Sequence, residues 1–217
     1  MANPKLAPDM LDHGVEVAGV LSLGTGYLIT NDRSINTIQQ LVGKRLAIFD
    51  NDNAGQTVIE KVGAIPVTVT LSTIGPLFNS GKLDIIYLPA MAFKPFDISK
   101  GIGIKGGVIR FPVVAVTYDM FIHPDKFPEG YGQKSRNWFA SNIDRQMANV
   151  DKIEKSIDSK YWMDIPPASA QAYFQVLHES RISLTKAGIY DKKMMSILKK
   201  IRCRNEPNNP ECSKNDE

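Results

Sequence analysis

The stretch from Leu41 to Pro89 constrains this chain most, because its apolar pattern alternates between the spacings of strand and helix. LVGKRLAIFD ends in an apolar run, Leu46 to Phe49, opened by Gly43 and two cations. NDNAGQTVIEKVGA follows, with Asp50 to Asn53 as helix caps and Val58, Ile59 and Val62 on one helical face. Gly63 stops the helix, as a residue that tolerates positive φ should. IPVTVTL sets Val67, Val69 and Leu71 against Thr68 and Thr70, which predicts a half-buried strand. STIGPLFNSGKLD predicts a short helix, and IIYLP a third strand. Strand, helix, strand, helix, strand over 49 residues implies a parallel sheet with right-handed crossovers.

Ligands of such sheets bind where the carboxyl ends of strands meet a reversal in strand order. Two positions therefore stand out before any motif is named. One is the exit of the first strand, Asp50-Asn51-Asp52-Asn53, with Gln56 on the helix behind it; the other is the exit of the third, Tyr87 to Ala90. Two readings of the Asp/Asn run stay open. It caps a helix, or it caps a helix and also offers polar groups to a ligand, since one cap does not need four such residues.

At 217 residues the chain can bury a sizeable core. A net charge of +3, from 26 basic and 23 acidic residues, is too balanced to imply a nucleic-acid partner. No run of 18 apolar residues is present, so no membrane span is read. The opening MANPKLAPDMLDHG has one Lys and no apolar core of a signal peptide; either a leader has been removed or the reading frame begins internally. Cys203 and Cys212 flank a loop holding two Pro and three Asn, a spacing that suits a small disulfide in an oxidising compartment. Two unpaired thiols in a frayed tail are the alternative.

Along the rest of the chain, residues 2 to 14 predict an extended or disordered start. VEVAGVLSLGTGYLIT predicts a strand, a tight bend at Gly24 and Gly26, and a second short strand. NDRSINTIQQLVG predicts a short helix capped near Ser34. Gly101 to Gly106 matches G-x-G-x-x-G on paper, but a strand-like run follows instead of a helix, so the dinucleotide motif is rejected. Val113 to Ile122 predicts a long strand, with Arg110 and Tyr118 near a crossover between lobes. Ile143, Met147, Val150, Ile153 and Ile157 mark an amphipathic helix; Ala170, Tyr173, Phe174 and Leu177 another, ending near Arg181. Tyr190, Met194, Ile197, Leu198 and Ile201 mark a last helix, capped by Asp191, whose Lys-rich face is either a solvated surface or a membrane-facing one.

Catalytic constellations are missing. The three His residues have no H-E-x-x-H spacing, and neither a G-x-S-x-G elbow nor a phosphate loop occurs. The reading is a non-enzyme with no cofactor and no metal.

LVGKRLAI, VGAIPVTV and LFNSGKLDIIYLP together resemble the core of solute-binding proteins from tripartite ATP-independent periplasmic (TRAP) transporters. Gly43, Gly63, Ala64, Pro66, Gly81 and Asp84 sit at matching positions, and the resemblance covers about three quarters of the chain. Within that group it is most similar to a divergent branch that carries a drug-efflux and aminoglycoside-resistance description. The resemblance implies an α/β, two-lobed periplasmic-binding-protein-like fold of type II, with the first lobe incomplete. The expected segments are 1–24 as a remnant of the first lobe and 25–112 as an α/β ligand-binding lobe. A crossover strand and helix at 113–160 and C-terminal helices and tail at 161–217 complete it. It implies a periplasmic protein that binds a small solute and works with a membrane transporter.

The family's carboxylate-clamping arginine falls on Ala47, and its following asparagine on Leu88. Neither can grip a carboxylate by paired hydrogen bonds. A cationic or neutral polar ligand is therefore expected, at Asp50, Asn51, Asp52, Asn53, Gln56, Tyr87, Arg110 and Tyr118; an aminoglycoside satisfies that charge logic without being singled out. The second reading is a non-transporting accessory protein linked to drug efflux. An incomplete first lobe would leave a strand edge open at Val15–Leu23 or Val113–Ile122, and so predicts a homodimer.

Overall fold

The computed structural model describes residues 1–216, in which one mixed sheet of seven strands carries helices on both faces. The chain opens with a 3-10 turn, Pro4–Met10, and a two-residue strand β1, Leu11–Asp12. The start is thus built, not disordered, because Asn3 caps the turn and β1 pairs antiparallel with the next strand. That strand, β2, runs unbroken from Val15 to Thr30. The bend expected at Gly24 and Gly26 is instead a pair of register shifts against β6 (Gly107–Ile122), with Gly24 at φ +91°. Glycine here bends a strand without ending it.

The central unit follows the expected order. Helix α1, Ile38–Leu41, starts from Thr37 and not from Ser34, since the Gln40 side chain accepts from the Thr37 N–H. Then come β3 (Arg45–Phe49), α2 (Asn53–Lys61), β4 (Ile65–Val69), α3 (Ile74–Asn79) and β5 (Ile85–Pro89). Both β4 and β5 pair parallel with β3, one on each side of it. Gly63 lies at φ +69° just past the C-cap Val62, which ends α2 where the sequence predicted. Across the whole sheet the order is β4-β3-β5-β2-β6-β7, where β7 is Trp162–Met163.

Alternation along the strands sends side chains to two cores. Ala47, Val69, Ile86 and Leu88 pack with Ile74 and Phe78 of α3 on one face. Leu46, Ile48 and Ile85 pack with Ile59 and Val62 of α2 on the other. The putting of α2 and α3 on opposite faces follows from β4 and β5 flanking β3 on opposite sides. Asp84 fixes the near ends of these strands: its carboxylate accepts from the Arg45 N–H, Nε and Nη2 at 2.7–2.9 Å.

Beyond β5, α4 (Ile98–Ile102) leads straight into β6, so no helix opens after Gly106 and the glycine motif has no dinucleotide context. Helix α5 (Tyr131–Ser141) and helix α6 (Ile143–Lys155) lie against the outer half of β2. Glycines make this approach possible. A Cβ on Gly19 would stand 2.2 Å from the Phe139 ring, and one on Gly24 would stand 2.5 Å from Val150. Arg136 of α5, only 3% exposed, donates to Glu16 and to the Val17 carbonyl and locks the same contact. The stripe predicted on α6 is buried at Val150, while Ile143 and Met147 stay exposed. Helix α7 (Pro167–Lys186) runs past the end expected at Arg181, and α8 (Lys192–Asn205) is capped by Asp191 as predicted. Cys203 and Cys212 form a disulfide that ties the tail to α8. The outer edge of β6 pairs with β7 only at Val108 and Ile109, so from Arg110 to Ile122 it meets no further strand among the described residues.

Two outcomes are expected. Reducing the disulfide removes loop-closure stabilisation of roughly 2 to 3 kcal/mol, seen as a lowered denaturation midpoint, with no thiol alkylated before reduction. The Arg45 side chain, more than its backbone N–H, holds the Asp84 carboxyl below its ordinary 3.8. A depressed value in the folded state means a contribution to stability that is full above 3.8 and lost as the pH falls through the folded value. Asp84→Asn therefore lowers stability at neutral pH, and urea titrations should show the gap to wild type closing on acidification below that window.

Candidate functional site

Because β4 and β5 leave β3 in opposite directions, a crevice opens between the carboxyl ends of β3 and β5. The chain leaves β3 through Asp50 and Asn51, the latter at φ +62°, a left-handed conformation that asparagine tolerates. This turn brings Asp52 to the N-cap of α2. Its Oδ1 accepts from the Gly55 N–H at 2.7 Å. Its Oδ2 accepts from the Tyr87 hydroxyl on β5, also at 2.7 Å. A single carboxylate thus caps the helix and bridges the crevice. Gly55 makes room for it, since a Cβ there would stand 2.5 Å from the same oxygen that Tyr87 holds.

Burial first, and then the hydrogen bond to Asp52, push the Tyr87 phenol far above its ordinary 10.0. Tyr87 is therefore a fixed neutral donor. Its ring stands edge-on to Phe49 at 6.2 Å. Behind the pair lies a groove of about 750 Å³ between the sheet, α2, α7 and α8. Its wall is aliphatic along Leu41, Val58, Val62, Leu177 and Met195. Tyr190 borders it from the start of α8, with its phenol raised by burial and then by the nearby Asp52 charge. Asp52 has no lysine or arginine within ion-pair distance among the described residues, although its two neutral donors hold it in place.

The sequence-selected residues divide. Asp52 and Tyr87 meet. Asp50 is exposed, its Oδ1 accepting from the Asn51 N–H, and Asn51 and Asn53 are exposed members of the turn. Gln56 points along its own helix, donating to Glu60 at 2.6 Å. Arg110 lies on the opposite face of the sheet, stacked over Trp162 at 4.8 Å and bonded to Asp164 at 2.8 Å. Tyr27 shares that second cluster, edge-on to Trp162 at 5.0 Å and donating to Glu154 at 3.0 Å. Tyr118 is 70% exposed far along the outer half of β6. The expected gathering of Arg110 and Tyr118 with Asp52 is not found: Arg110 alternates with Ile109 and Phe111, which pack on the groove side of the sheet, and Tyr118 lies eight residues further along β6. Tyr27 and Trp162 of this cluster pack against the same core as Ala47 and Leu88, which are 1% and 4% exposed. Tyr173 and Tyr190 are the groove residues that the sequence did not assign. Their apolar helical spacing was legible, but spacing does not distinguish a packed face from one that lines a groove. Among the described residues no group of three His, Cys, Asp or Glu side chains is placed to hold a metal.

Asp52→Ala should cost about 0.5 to 2 kcal/mol by loss of the cap, and Tyr87→Phe about 1.5 to 3 kcal/mol by loss of a charged hydrogen bond. The two share one bond, so urea denaturation of the double variant should show less than the sum.

Comparison with known proteins gives a consistent picture. The family model described as solute-binding protein AdeT 1/2 matches residues 1–217. The chain is 45% identical to the "Probable solute-binding protein AdeT1" of Acinetobacter baumannii, over all of this chain and 71% of that protein. A TRAP periplasmic solute-binding protein from Desulfovibrio salexigens, solved with orotic acid, superposes with a TM-score of 0.77 at 14% identity, covering 94% of this chain and 67% of that one. One from Haemophilus influenzae, solved with L-gulonate, gives 0.75 at 12% identity, covering 92% and 67%. These two likenesses are of fold, and they match the two-lobed architecture expected from the sequence.

Proposed function

Since the chain belongs to the solute-binding protein AdeT 1/2 family, a TRAP-type group, we propose that it binds a small cationic or neutral solute at the mouth of the groove. Asp52 is the charged anchor and Tyr87 the donor that orients it. The observation that carries this reading is a carboxylate fixed by two neutral donors at a groove of about 750 Å³; the two arginines that line the groove, Arg181 and Arg202, are paired with Glu211. A solute that supplies an ammonium or hydroxyl completes that carboxylate's coordination. Ala47 and Leu88, on the other face of the sheet, are buried and apolar and offer no clamp for an acid at the positions where the resemblance implied one.

Binding proteins of this type hold a solute and pass it to a membrane component, so no acid–base machinery is needed. Among the described residues no helix is long and apolar enough to cross a membrane, which leaves translocation to a separate transporter. The periplasm is the compartment that suits the Cys203–Cys212 bridge. The relatives are described as solute-binding proteins, and nothing favours the efflux reading over this one. The open β6 edge supports pairing with a second copy; light scattering across a dilution series should show dissociation, and a monomer at every concentration would exclude it.

Thermal denaturation of wild type and Asp52→Asn, each with amines, amino sugars, polyols and carboxylates, tests the site. A ligand at about a hundredfold excess over its Kd should raise the midpoint of wild type by roughly 5 to 10 °C. Asp52→Asn keeps a side-chain cap but should lose most of the shift given by cations. An equal shift with any simple carboxylate would overturn the assignment.

A further inference from the structure

Arg181 of α7 and Arg202 of α8 both line the groove, and both reach Glu211 on the C-terminal tail. The Arg181 Nη2 donates to the two oxygens of that carboxylate at 2.7 and 2.8 Å, and the Arg202 Nη2 lies 3.5 Å from Oε2. Local chain geometry makes the meeting. Cys203 follows Arg202 and Cys212 follows Glu211, so their disulfide folds the tail back onto α8 with arginine beside glutamate. Asn209 steadies the turn, its Oδ1 accepting from the Glu211 N–H at 3.1 Å. Behind it His178 bridges Glu211 and Asp216 at 3.2 and 3.0 Å, and Asp216 meets Lys199 at 3.1 Å. Glu211 lines the neighbouring hollow between α7 and the tail, not the groove itself.

The charges of the groove wall are two aspartates, Asp52 and Asp191, against these two arginines. Left at that, the wall would favour neither sign. Glu211 tips the balance, and it does so at the arginines. We infer that Glu211 is a positioning residue that sets the charge preference of the groove: by engaging Arg181 and Arg202 from behind, it leaves Asp52 to select the solute. The inference rests on the groove being the solute site and adds the element that disfavours acids there. A ligand carboxylate at either arginine must share or displace the carboxylate already bonded to it. A ligand ammonium at Asp52 displaces no charge, because the donors from Gly55 and Tyr87 are neutral.

The test uses the full chain and titration calorimetry with cyclohexylamine, cyclohexanecarboxylate and cyclohexanol, which share one apolar body and differ in the charge of the head. Wild type should take the amine at least about tenfold more tightly than the acid. Glu211→Gln should weaken the amine and strengthen the acid by roughly threefold each, since one charge acts on the two heads with opposite sign, and should leave the alcohol unchanged. Arg202→Gln should move both ions the other way by a similar factor, and it reads the same balance if the Glu211 variant does not fold. Glu129→Gln makes the same change of net charge at an exposed position outside the groove and should alter none of the three. An amine-to-acid ratio that Glu211→Gln leaves unchanged would overturn the inference. So would a loss shared by all three ligands, which marks a structural role only, or an equal shift from Glu129→Gln. If Asp52→Asn weakens the amine while Glu211→Gln and Arg202→Gln leave the ratio alone, the groove stands as the site and the role of Glu211 is wrong. If no ligand responds to Asp52→Asn, both fail.

Discussion

The structure depends on the reversal of strand order at β3. With β4 on one side and β5 on the other, the connections must cross opposite faces of the sheet, and α2 and α3 are sent apart. Parallel strands buried on both faces need apolar side chains in both directions, which is why Leu46 to Phe49 and Ile85 to Leu88 read as unbroken apolar runs. The same reversal leaves the carboxyl ends of β3 and β5 without a loop packed between them. Whatever polar groups the chain places there are held by backbone on two sides and face a low-dielectric wall on the third. Asp52 is such a group, and a charge partner arriving there interacts more strongly than at an open surface.

Two faces of one sheet have taken different fates. The face that carries Ala47 and Leu88 is filled by Phe78, Ile74 and Val69, leaving no polar group at the positions where the family resemblance implied a clamp. The polar residues nearest that face, Tyr27, Glu154 and Arg110, satisfy one another or their own neighbours, and Arg110 with Asp164 is an exposed pair of little energetic weight. The other face keeps an unfilled groove with the Asp52–Tyr87 pair at its mouth.

Most of the central unit was legible, because its signals are local: Gly63 past a helix end, Thr and Val alternating in β4, Asp and Asn before α2. Tyr87 and Asp52 were found together because strand exits are readable from strand ends alone. What failed was non-local. Whether Gly24 ends β2 or lets it bend depends on Val150 of α6, more than a hundred residues away in sequence. Whether Arg110 shares a face with Tyr87 depends on the pairing of β2 with both β5 and β6, which no local pattern encodes. Tyr173 carried the spacing of a packed helix residue; that it lines a groove shows only in the assembled fold.

Asp52 has one further consequence, for how this chain can drift. As a cap it is replaceable, since Ser, Thr or Asn at that place accept the same N–H with similar effect. As an anion against an apolar wall it has one near equivalent, glutamate, whose extra methylene would carry the oxygens out of reach of Gly55 or Tyr87. On the proposed reading, folding and binding filter the same codon with unequal stringency. On that reading, a homologue with serine here would keep the fold and lose the anchor for a cationic solute, so the identity of this one residue would sort such chains by what they carry.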